Sequence, residues 1–293
     1  MNMMRFTTMK TKLRKYPSIF LILLLAISSC FLTGCVNQHP KDSKKSSQGE
    51  SVETMLEITD PKEKQAVLNA KAKVKALSGN PRIVATSPAV ADICDKLDLD
   101  LVGVPKSSVS KIPSRYKKVK KVGLAMSPDM EIVSSLNPDW ILAPSSLETD
   151  LKPKFEELKN TEYAFLNLRS VQGMYRSVQE LGEIFGKQQE AEKMTKEFTT
   201  FYKSYTKRNK NKKHPKVLVL MGLPGSYVIA TENSYVGSLV KLAGGENVYQ
   251  NTDQEFLTVN TEDMKKKEPD IIVRAAHALP DQVTTVSYTH LTL

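Results

Sequence analysis

The pattern of apolar and polar positions predicts a strand–helix–strand unit early in the chain. The run Arg82–Thr86 is apolar and rich in β-branched residues, which is typical of a buried strand. Residues Ala89–Leu97 carry apolar side chains at helical spacing, and Leu101–Val104 is a second strand-like run. Because neighbouring parallel strands need a crossover connection, this unit indicates a parallel sheet with helices on its faces.

A second pattern occurs twice along the chain and predicts two related lobes. Glu131 opens a short helical segment that Pro138–Asp139 ends, and an apolar strand follows. Glu262 and Pro269–Asp270 repeat this arrangement at the same spacing, 131 residues later. Two copies of one helix–turn–strand unit at this distance indicate an internal duplication of the fold.

The segment between the two copies is predicted to link the lobes. Residues 171–206 contain no proline and place apolar side chains at helical intervals, which predicts one long helix. This divides the folded body into an N-terminal lobe, 53–170, and a C-terminal lobe, 207–293. The predicted fold class is therefore α/β, with two Rossmann-like lobes joined by a single long helix.

The N-terminus has the features of an export signal, which we assign to residues 1–34. Its basic residues precede the apolar stretch Ile19–Ile27, which is too short to span a bilayer comfortably. Leu32–Cys35 resembles the lipobox of bacterial lipoproteins, in which the cysteine thiol takes the lipid, and Cys30 is a looser match. The alternatives are a transmembrane anchor or secretion without a lipid. The polar residues 35–52 predict a lipidated cysteine followed by a flexible tether.

Charge and cysteine content narrow the function classes. Of the formal net charge of +10, five charges lie within residues 1–34, so the remaining chain is only mildly basic. Much of the remainder lies in Lys207–Lys213, where aromatic residues are not interleaved, and this argues against nucleic-acid binding. A solvated loop, or weak attraction to an anionic membrane surface, explains that run better. The three cysteines give neither a disulfide framework nor a metal-binding spacing.

Motifs for catalysis are missing from the sequence. It has no G-x-S-x-G, H-E-x-x-H, P-loop or G-x-G-x-x-G pattern in the required context. Cys94 lies in the middle of a predicted helix among apolar neighbours, so we interpret it as a core residue rather than a nucleophile. The sequence therefore favours a binding protein over an enzyme.

Four motifs carry a resemblance to a known family. Arg82–Thr86, Lys121–Pro128, His214–Tyr227 and Leu242–Val248 resemble the haem-binding lipoproteins of iron-regulated surface determinant systems. These belong to the metal-chelate class of substrate-binding proteins of ABC transporters, which have the class III periplasmic-binding-protein architecture. The resemblance covers roughly residues 80–285. It implies a transport function in which haem is held in the cleft between the lobes.

The resemblance implies haem b as the transported ligand and Met126 and His277 as its axial iron ligands. Met126 lies in a loop before the Glu131 helix, and His277 follows the strand after Asp270. A thioether and an imidazole are both neutral, and this pair raises the potential of haem iron. Taken alone, a methionine more often fills a gap in the core, and a histidine at a strand end is often only partly exposed. A siderophore or cobalamin carrier of the same class is the alternative.

Haem propionates would need polar partners, for which four residues are candidates. Thr86 and Ser87 lie where a strand gives way to a helix, a position at which backbone N–H groups attract anions. Tyr227 and Arg274 are further candidates in the second lobe. Each candidate has an equally good structural explanation. Thr86 and Ser87 could cap the helix, Tyr227 could be a packed aromatic ring and Arg274 a solvent-facing charge.

The same resemblance implies that Glu131 and Glu262 dock the protein on the permease of the transporter. One glutamate on each lobe would reach arginines of the permease, although both residues would also favour the start of a helix. The implied partners are the permease and ATPase subunits, upstream cell-wall haem-transfer proteins and, through the lipid anchor, the membrane. No nucleic acid is implied. We expect a monomer on the outer face of the cytoplasmic membrane of a Gram-positive bacterium.

The end of the sequence predicts an incomplete second lobe. The segment from Lys216 to Leu293 is shorter than the first lobe and shows few strands and no closing helix. The family also continues beyond the segment that contains His277. Residues 286–293 do not match the family, and our hypothesis is that they are foreign to it.

Overall fold

A computed structural model describes residues 52–108, 110–223 and 226–276. The predicted signal peptide, Cys35 and most of the tether, as well as His277 and the C-terminal segment 286–293, lie outside these residues. None of the helices that the structure describes is both long enough and apolar enough to cross a membrane.

The first lobe contains five parallel strands in the order β3-β2-β1-β6-β7. This confirms the strand–helix–strand unit and the parallel sheet that the sequence predicts. The elements of this lobe are β1 (Ile83–Ala85), α3 (Pro88–Lys96), β2 (Leu101–Val104), β3 (Lys120–Lys121), β4 (Gly123–Leu124), β5 (Ser127–Pro128), α4 (Met130–Ser135), β6 (Trp140–Pro144), α5 (Glu148–Glu156) and β7 (Glu162–Leu166).

Apolar cores cover both faces of this sheet. On one face, Cys94 of α3 is buried beside the strands, which supports its interpretation as a core residue. On the other face, Phe155 and Phe165 stack with their ring centroids 5.8 Å apart. Burial on both faces explains why the apolar run of β6 does not alternate with polar residues.

The second lobe is built around a mixed sheet. Its central strand β8 pairs in parallel with β10 and β12 and antiparallel with β9, which in turn pairs with β11. Among the described residues, β12 has a pairing partner on one side only, and Ile271 is 46% exposed. The elements are β8 (Lys216–Leu223), β9 (Ser226–Ala230), α8 (Tyr235–Leu242), β10 (Glu246–Asn247), β11 (Phe256–Leu257), α9 (Thr261–Lys266) and β12 (Ile271–Ala276).

The structure confirms the internal repeat down to individual hydrogen bonds. The carboxylate of Asp139 accepts the backbone N–H of Arg82 at 2.7 Å, and that of Asp270 accepts the backbone N–H of Lys216 at the same distance. In the first lobe, Asp139 thus holds the start of β6 beside the start of β1. In the second lobe, Asp270 holds the start of β12 beside the start of β8 in the same way.

The turns before these aspartates also match. Asn137 has a φ of 44° and Glu268, 131 residues later, has a φ of 45°. Few residues other than glycine adopt this left-handed conformation, so its recurrence at equivalent positions is specific. The two copies share backbone conformation as well as sequence, as expected of two related lobes.

The predicted linking helix over 171–206 is wrong in its extent. The structure contains two helices there, α6 (Val171–Phe185) and α7 (Gln188–Asn209). Gly186 ends α6 in the left-handed conformation with a φ of 71°, which glycine adopts without steric cost. The buried face of α6 packs into the core of the first lobe. The connection between lobes is therefore α7, whose 22 residues extend about 33 Å.

Two further helices precede the first lobe, α1 (Val52–Leu56) and α2 (Pro61–Lys75). Both pack against α6, and there they enclose an unusual pair of carboxyl groups, Glu63 and Glu180. Both carboxyl oxygens of Glu180 are buried and accept no hydrogen bond from the described residues, whereas a protonated Glu180 can share a hydrogen bond with Glu63. Burial, reinforced by the carboxyl group of Glu63, raises the pKa of Glu180 to about 10, and Arg176 opposes the change. Glu180 therefore stays protonated at neutral pH.

Candidate functional site

The candidate site lies at the carboxyl ends of the strands of the first lobe. The strand order reverses between β1 and β6, since the chain adds β2 on one side of β1 and β6 on the other. In open α/β sheets, ligands bind in the crevice outside the strand ends at such a reversal. The helix α3 begins directly after β1, and the hairpin of β4 and β5 follows β3, so both lie at this edge.

Met126 lies in the tight turn of that hairpin. Leu124 pairs with Ser127, which leaves Ala125 and Met126 as the two turn residues. Met126 is 75% exposed and Leu124 is 58% exposed. Taken alone, a methionine is more often a packing residue, but Met126 belongs to none of the apolar cores that the described residues form.

The hairpin that carries Met126 is held firmly at its base. The backbone N–H of Lys106 donates to the carbonyl oxygen of Gly123 at 2.6 Å, and that of Asp129 donates to Val122 at 2.8 Å. Gly123 has a φ of 95°, and a Cβ atom there would lie 2.9 Å from the backbone nitrogen of Asp129. The hairpin therefore needs a glycine at this position, and it presents Met126 to solvent from a fixed backbone.

Thr86 and Ser87 are placed at the same edge, and their hydroxyl groups already serve the fold. The Thr86 hydroxyl donates to the carbonyl oxygen of Leu142 at 3.3 Å. The Ser87 hydroxyl accepts the backbone N–H of Val90 at 3.3 Å and so caps α3. Both residues are buried. This geometry supports the helix-cap explanation that the sequence left open, and Ser87 can still donate its own hydroxyl hydrogen.

The candidate residues of the second lobe lie on different strands. Tyr227 lies on β9 opposite Gly222, is half-buried and packs against the core of that lobe, as a packed aromatic ring would. Arg274 lies exposed on β12 opposite Leu220. His277 directly follows β12 in the sequence and lies outside the described residues.

Glu131 and Glu262 occupy equivalent positions at the starts of α4 and α9. Asp129 caps α4 by accepting the backbone N–H of Glu131 at 3.1 Å, and Asn260 caps α9. Both glutamates are the second residue of their helix and both are exposed. A carboxylate in the first turn of a helix interacts favourably with the positive end of the helix dipole, which is also true of these two residues.

Sequence reasoning missed the contacts between the lobes. Arg169, which follows β7, forms an ion pair with Glu255 of the second lobe. The backbone N–H of Val171, at the start of α6, donates to the hydroxyl of Ser238 on α8 at 3.2 Å. No local pattern announces such partners, because they lie 67 and more residues apart in the sequence. They attach the second lobe to the first beside the cleft.

A cavity of about 550 Å³ lies between α3, α6, α7 and α8. Its walls include Ile93, Met174, Tyr175, Met194 and Tyr235, and Met126 is not among its lining residues. The cavity therefore belongs to the packing of the connecting helices and differs from the predicted haem site.

The fold and the site together define a two-lobe ligand-binding protein whose lobes are joined by α7. The chain belongs to the periplasmic binding protein family, whose sequence profile matches residues 83–291. It is a substrate-binding protein of the metal-chelate class that serves ABC transporters, and it is not an enzyme. This confirms the fold class and the binding-protein interpretation made from the sequence.

Two known proteins are similar to this chain, and one of them matches both in sequence and in structure. It is 41% identical over 207 residues to the high-affinity heme uptake system protein IsdE of Staphylococcus aureus strain Newman, covering 70% of each chain. The crystal structure of S. aureus IsdE complexed with heme matches with a TM-score of 0.67 and 38% identity, covering 73% of this chain and 84% of that one. A substrate-binding protein of an ABC transporter from Listeria monocytogenes EGD-e matches with a TM-score of 0.66 and 46% identity, covering 71% and 80%.

Proposed function

We propose that this chain is the haem-binding component of an ABC importer and delivers haem for iron acquisition. The observation that carries the proposal is the exposed thioether of Met126 on a rigid hairpin at the cleft edge. An exposed methionine at a fixed backbone position has no packing function, and a thioether is a ligand that haem iron accepts. The similarity to IsdE, a haem uptake protein, points to the same ligand.

We further propose that Met126 and His277 ligate the iron of haem b from opposite lobes. Met126 belongs to the first lobe, and His277 comes directly after β12 of the second. Because both ligands are neutral, the only charges to be balanced at the periphery are those of the propionates. The start of α3 at Ser87, with Thr86 beside it, is the proposed propionate partner. Tyr227 and Arg274 are the weaker candidates.

Replacing Met126 with leucine should abolish the low-spin haem spectrum and weaken haem binding at least about tenfold, because one axial ligand is lost. Leucine keeps the size and apolar character of the side chain, so the hairpin should be unchanged. Titration of the purified protein with haemin, followed in the Soret region, measures both effects.

Met126→His is the matched control for this experiment, since imidazole restores an axial ligand and should restore a low-spin spectrum. An unchanged titration with Met126→Leu would contradict the proposed ligation. Binding of a ferric siderophore or of cobalamin in place of haem would contradict the proposed function itself.

The proposed location is the outer face of the cytoplasmic membrane of a Gram-positive bacterium, with the lipid on Cys35 and the polar tether ahead of the folded body. The proposed partners are the permease and ATPase of the importer, together with upstream cell-wall proteins that donate haem. We propose that the protein acts as a monomer. Glu131 and Glu262 would orient it on the permease, since both lie exposed on the cleft side.

Reversing both charges, Glu131→Lys with Glu262→Lys, should lower haem uptake about tenfold while leaving haem binding unchanged. Two complementary charges guide encounter and orientation rather than ligand affinity. Uptake of labelled haem by cells, compared with the Soret titration of the purified variant, separates the two effects.

The control reverses Glu157, at the end of α5, and Glu192, on α7, which are also exposed but do not begin a helix at the carboxyl ends of the strands. Normal uptake by the Glu131/Glu262 variant, or an equal loss with the control, would refute the docking assignment.

A further inference from the structure

The topology of the second lobe gathers several chain segments at the edge opposite the cleft. The helices α7, α8 and α9 lead into the strands β8, β10 and β12, respectively. These three strands run parallel and begin side by side, since Lys216 pairs with Glu246 and Ile271 pairs with Val217. All three helices therefore end at the same edge, at the amino ends of the strands.

The first contribution to this edge comes from the last turn of α7 and the segment after it. Five exposed basic residues lie there: Lys207, Arg208, Lys210, Lys212 and Lys213. None of them belongs to an ion pair formed within the described part of the chain.

The second contribution comes from the other two helices and from the start of β8. Lys241 lies in the last turn of α8, Lys265–Lys267 lie at the end of α9, and Lys216 begins β8, and all are exposed. We call these residues together with those of α7 the basic end. Its ten positive charges, five from each contribution, face three nearby acidic residues, Glu246, Glu268 and Asp270.

The equivalent edge of the first lobe is organised differently. Arg115 there pairs with Asp98 at 2.7 Å and with Asp100 at 2.8 Å, and Lys187 pairs with Asp98 at 3.0 Å. Arg115 and Lys187 are thus paired within the lobe, whereas Lys117, Lys118 and Lys120 at the same edge form no ion pair with the described residues. A basic residue in the last turn of a helix also interacts favourably with the negative end of the helix dipole, and this accounts for Lys241. It does not account for Lys210, Lys212 and Lys213, which lie beyond the last residue of α7.

We propose that the basic end is a contact surface for the anionic headgroups of the lipid membrane. Its charges come from separate segments that the fold brings to one edge of the sheet. Basic residues gathered in this way can contact a planar anionic surface together. Two exposed apolar side chains lie about one to two turns before the helix ends, Phe201 on α7 and Leu239 on α8, and can add apolar contact with the interface.

This contact gives the protein an orientation that rests on the proposed lipid anchor. With the basic end on the membrane, the opposite edge of the second-lobe sheet, near which Glu262 begins α9, is directed away from the membrane. Docking on the permease requires that edge to turn toward the membrane. The lipid-bound and permease-bound orientations therefore exclude each other, and a loosely held, salt-sensitive contact allows the exchange.

The test measures binding of the chain from residue 36 onward, without its lipid, to sedimenting vesicles of phosphatidylglycerol and phosphatidylcholine. This chain keeps every described element. We expect binding to vesicles rich in phosphatidylglycerol, release at about 0.5 M salt and no binding to pure phosphatidylcholine. Each basic residue near an anionic surface contributes about a fivefold factor, so reversing Lys210, Lys212 and Lys213 to glutamate should weaken binding at least about tenfold.

The matched control reverses Lys117, Lys118 and Lys120, three exposed lysines of the first lobe, and so makes the same change in net charge. It should weaken binding less than about threefold. Equal losses in the two variants, or equal binding to both kinds of vesicle, would overturn the proposal. So would binding of inorganic polyphosphate without binding of vesicles. A haemin titration of the same variants reports on the proposed haem function separately, because neither triplet lies at the cleft edge.

Discussion

Replacing Glu180 with glutamine should raise the free energy of unfolding by about 2 kcal/mol at about pH 8. The amide has nearly the same shape as the carboxyl group and carries no ionisable proton. The wild-type carboxyl group is buried between α2 and α6 beside Glu63, and a hydrogen bond between the two carboxyl groups requires a proton. Folding at this pH therefore requires Glu180 to take up a proton that the unfolded chain has lost.

The sign of the pH dependence follows from which state of the protein holds the proton more tightly. The folded-state pKa is about 10 and the ordinary value is 4.5, so between these limits the folded state binds one more proton than the unfolded state. The contribution of Glu180 to the free energy of unfolding is therefore greatest below the pKa of the unfolded state. It falls as the pH rises from there toward the folded-state pKa. A tenfold difference in proton affinity between the two states corresponds to about 1.4 kcal/mol, and local rearrangement reduces the total. The gain from Glu180→Gln should therefore shrink toward about pH 5.

Glu183→Gln, on the same helix, is the control of opposite sign. Lys71 donates to Glu183 at 2.7 Å and holds the pKa of that carboxyl group below its usual range. Removing this half-exposed charge should cost about 0.5 kcal/mol above the ordinary pKa and nothing at strongly acid pH. Chemical denaturation across the pH range measures both variants. A Glu180→Gln variant with the pH dependence of the wild type would show that Glu180 does not take up this proton.

Replacing Gly237 with alanine should destabilise the second lobe by more than about 3 kcal/mol. Gly237 lies in the first turn of α8, where its backbone N–H donates to the hydroxyl of Ser234 at 3.0 Å. A Cβ atom at this position would come within 2.0 Å of the carbonyl oxygen of Thr231 and 2.8 Å of the Cα atom of Glu232. Both obstacles are backbone atoms, so the helix start or the loop before it must move.

Gly79→Ala is the matched control, because a Cβ atom there would meet no atom within 4 Å. It should change the free energy of unfolding by less than about 0.5 kcal/mol. Thermal unfolding followed by circular dichroism, with hydrogen exchange at α8 as a local measure, distinguishes the two variants. Full stability of the Gly237→Ala variant would contradict the close approach of α8 to the Thr231 loop.

Local sequence signals were sufficient for several elements. The unit of β1, α3 and β2 was predictable because apolar periodicity and a serine cap act over neighbouring residues. The repeat was predictable because Glu131 and Glu262 head identical spacings. The long helix was predicted incorrectly, since the run without proline hid the break that Gly186 makes in the left-handed conformation. A lone glycine in a helical pattern does not show by itself which backbone conformation it adopts.

The candidate site depended more on tertiary structure. Methionine is common in cores, so composition favoured packing for Met126, whereas the hairpin register leaves it exposed. The sequence proposed Ser87 both as a propionate partner and as a helix cap, and the hydrogen bond to Val90 supports the cap. The roles of Met126, His277 and the propionate partners in binding haem stay predictions.

By itself, the sequence indicated two related α/β lobes, because periodicity, helix caps and motif spacing are properties of neighbouring residues, and its resemblance to a known family implied the metal-chelate class of binding proteins. Only the tertiary structure decided which distant residues meet. Arg169 pairs with Glu255, and Glu63 lies beside Glu180, although 86 and 117 residues separate the members of these pairs. The basic end is likewise assembled from separate segments that lie between residues 207 and 267. Such contacts follow from how strands order and helices pack, which no local pattern encodes.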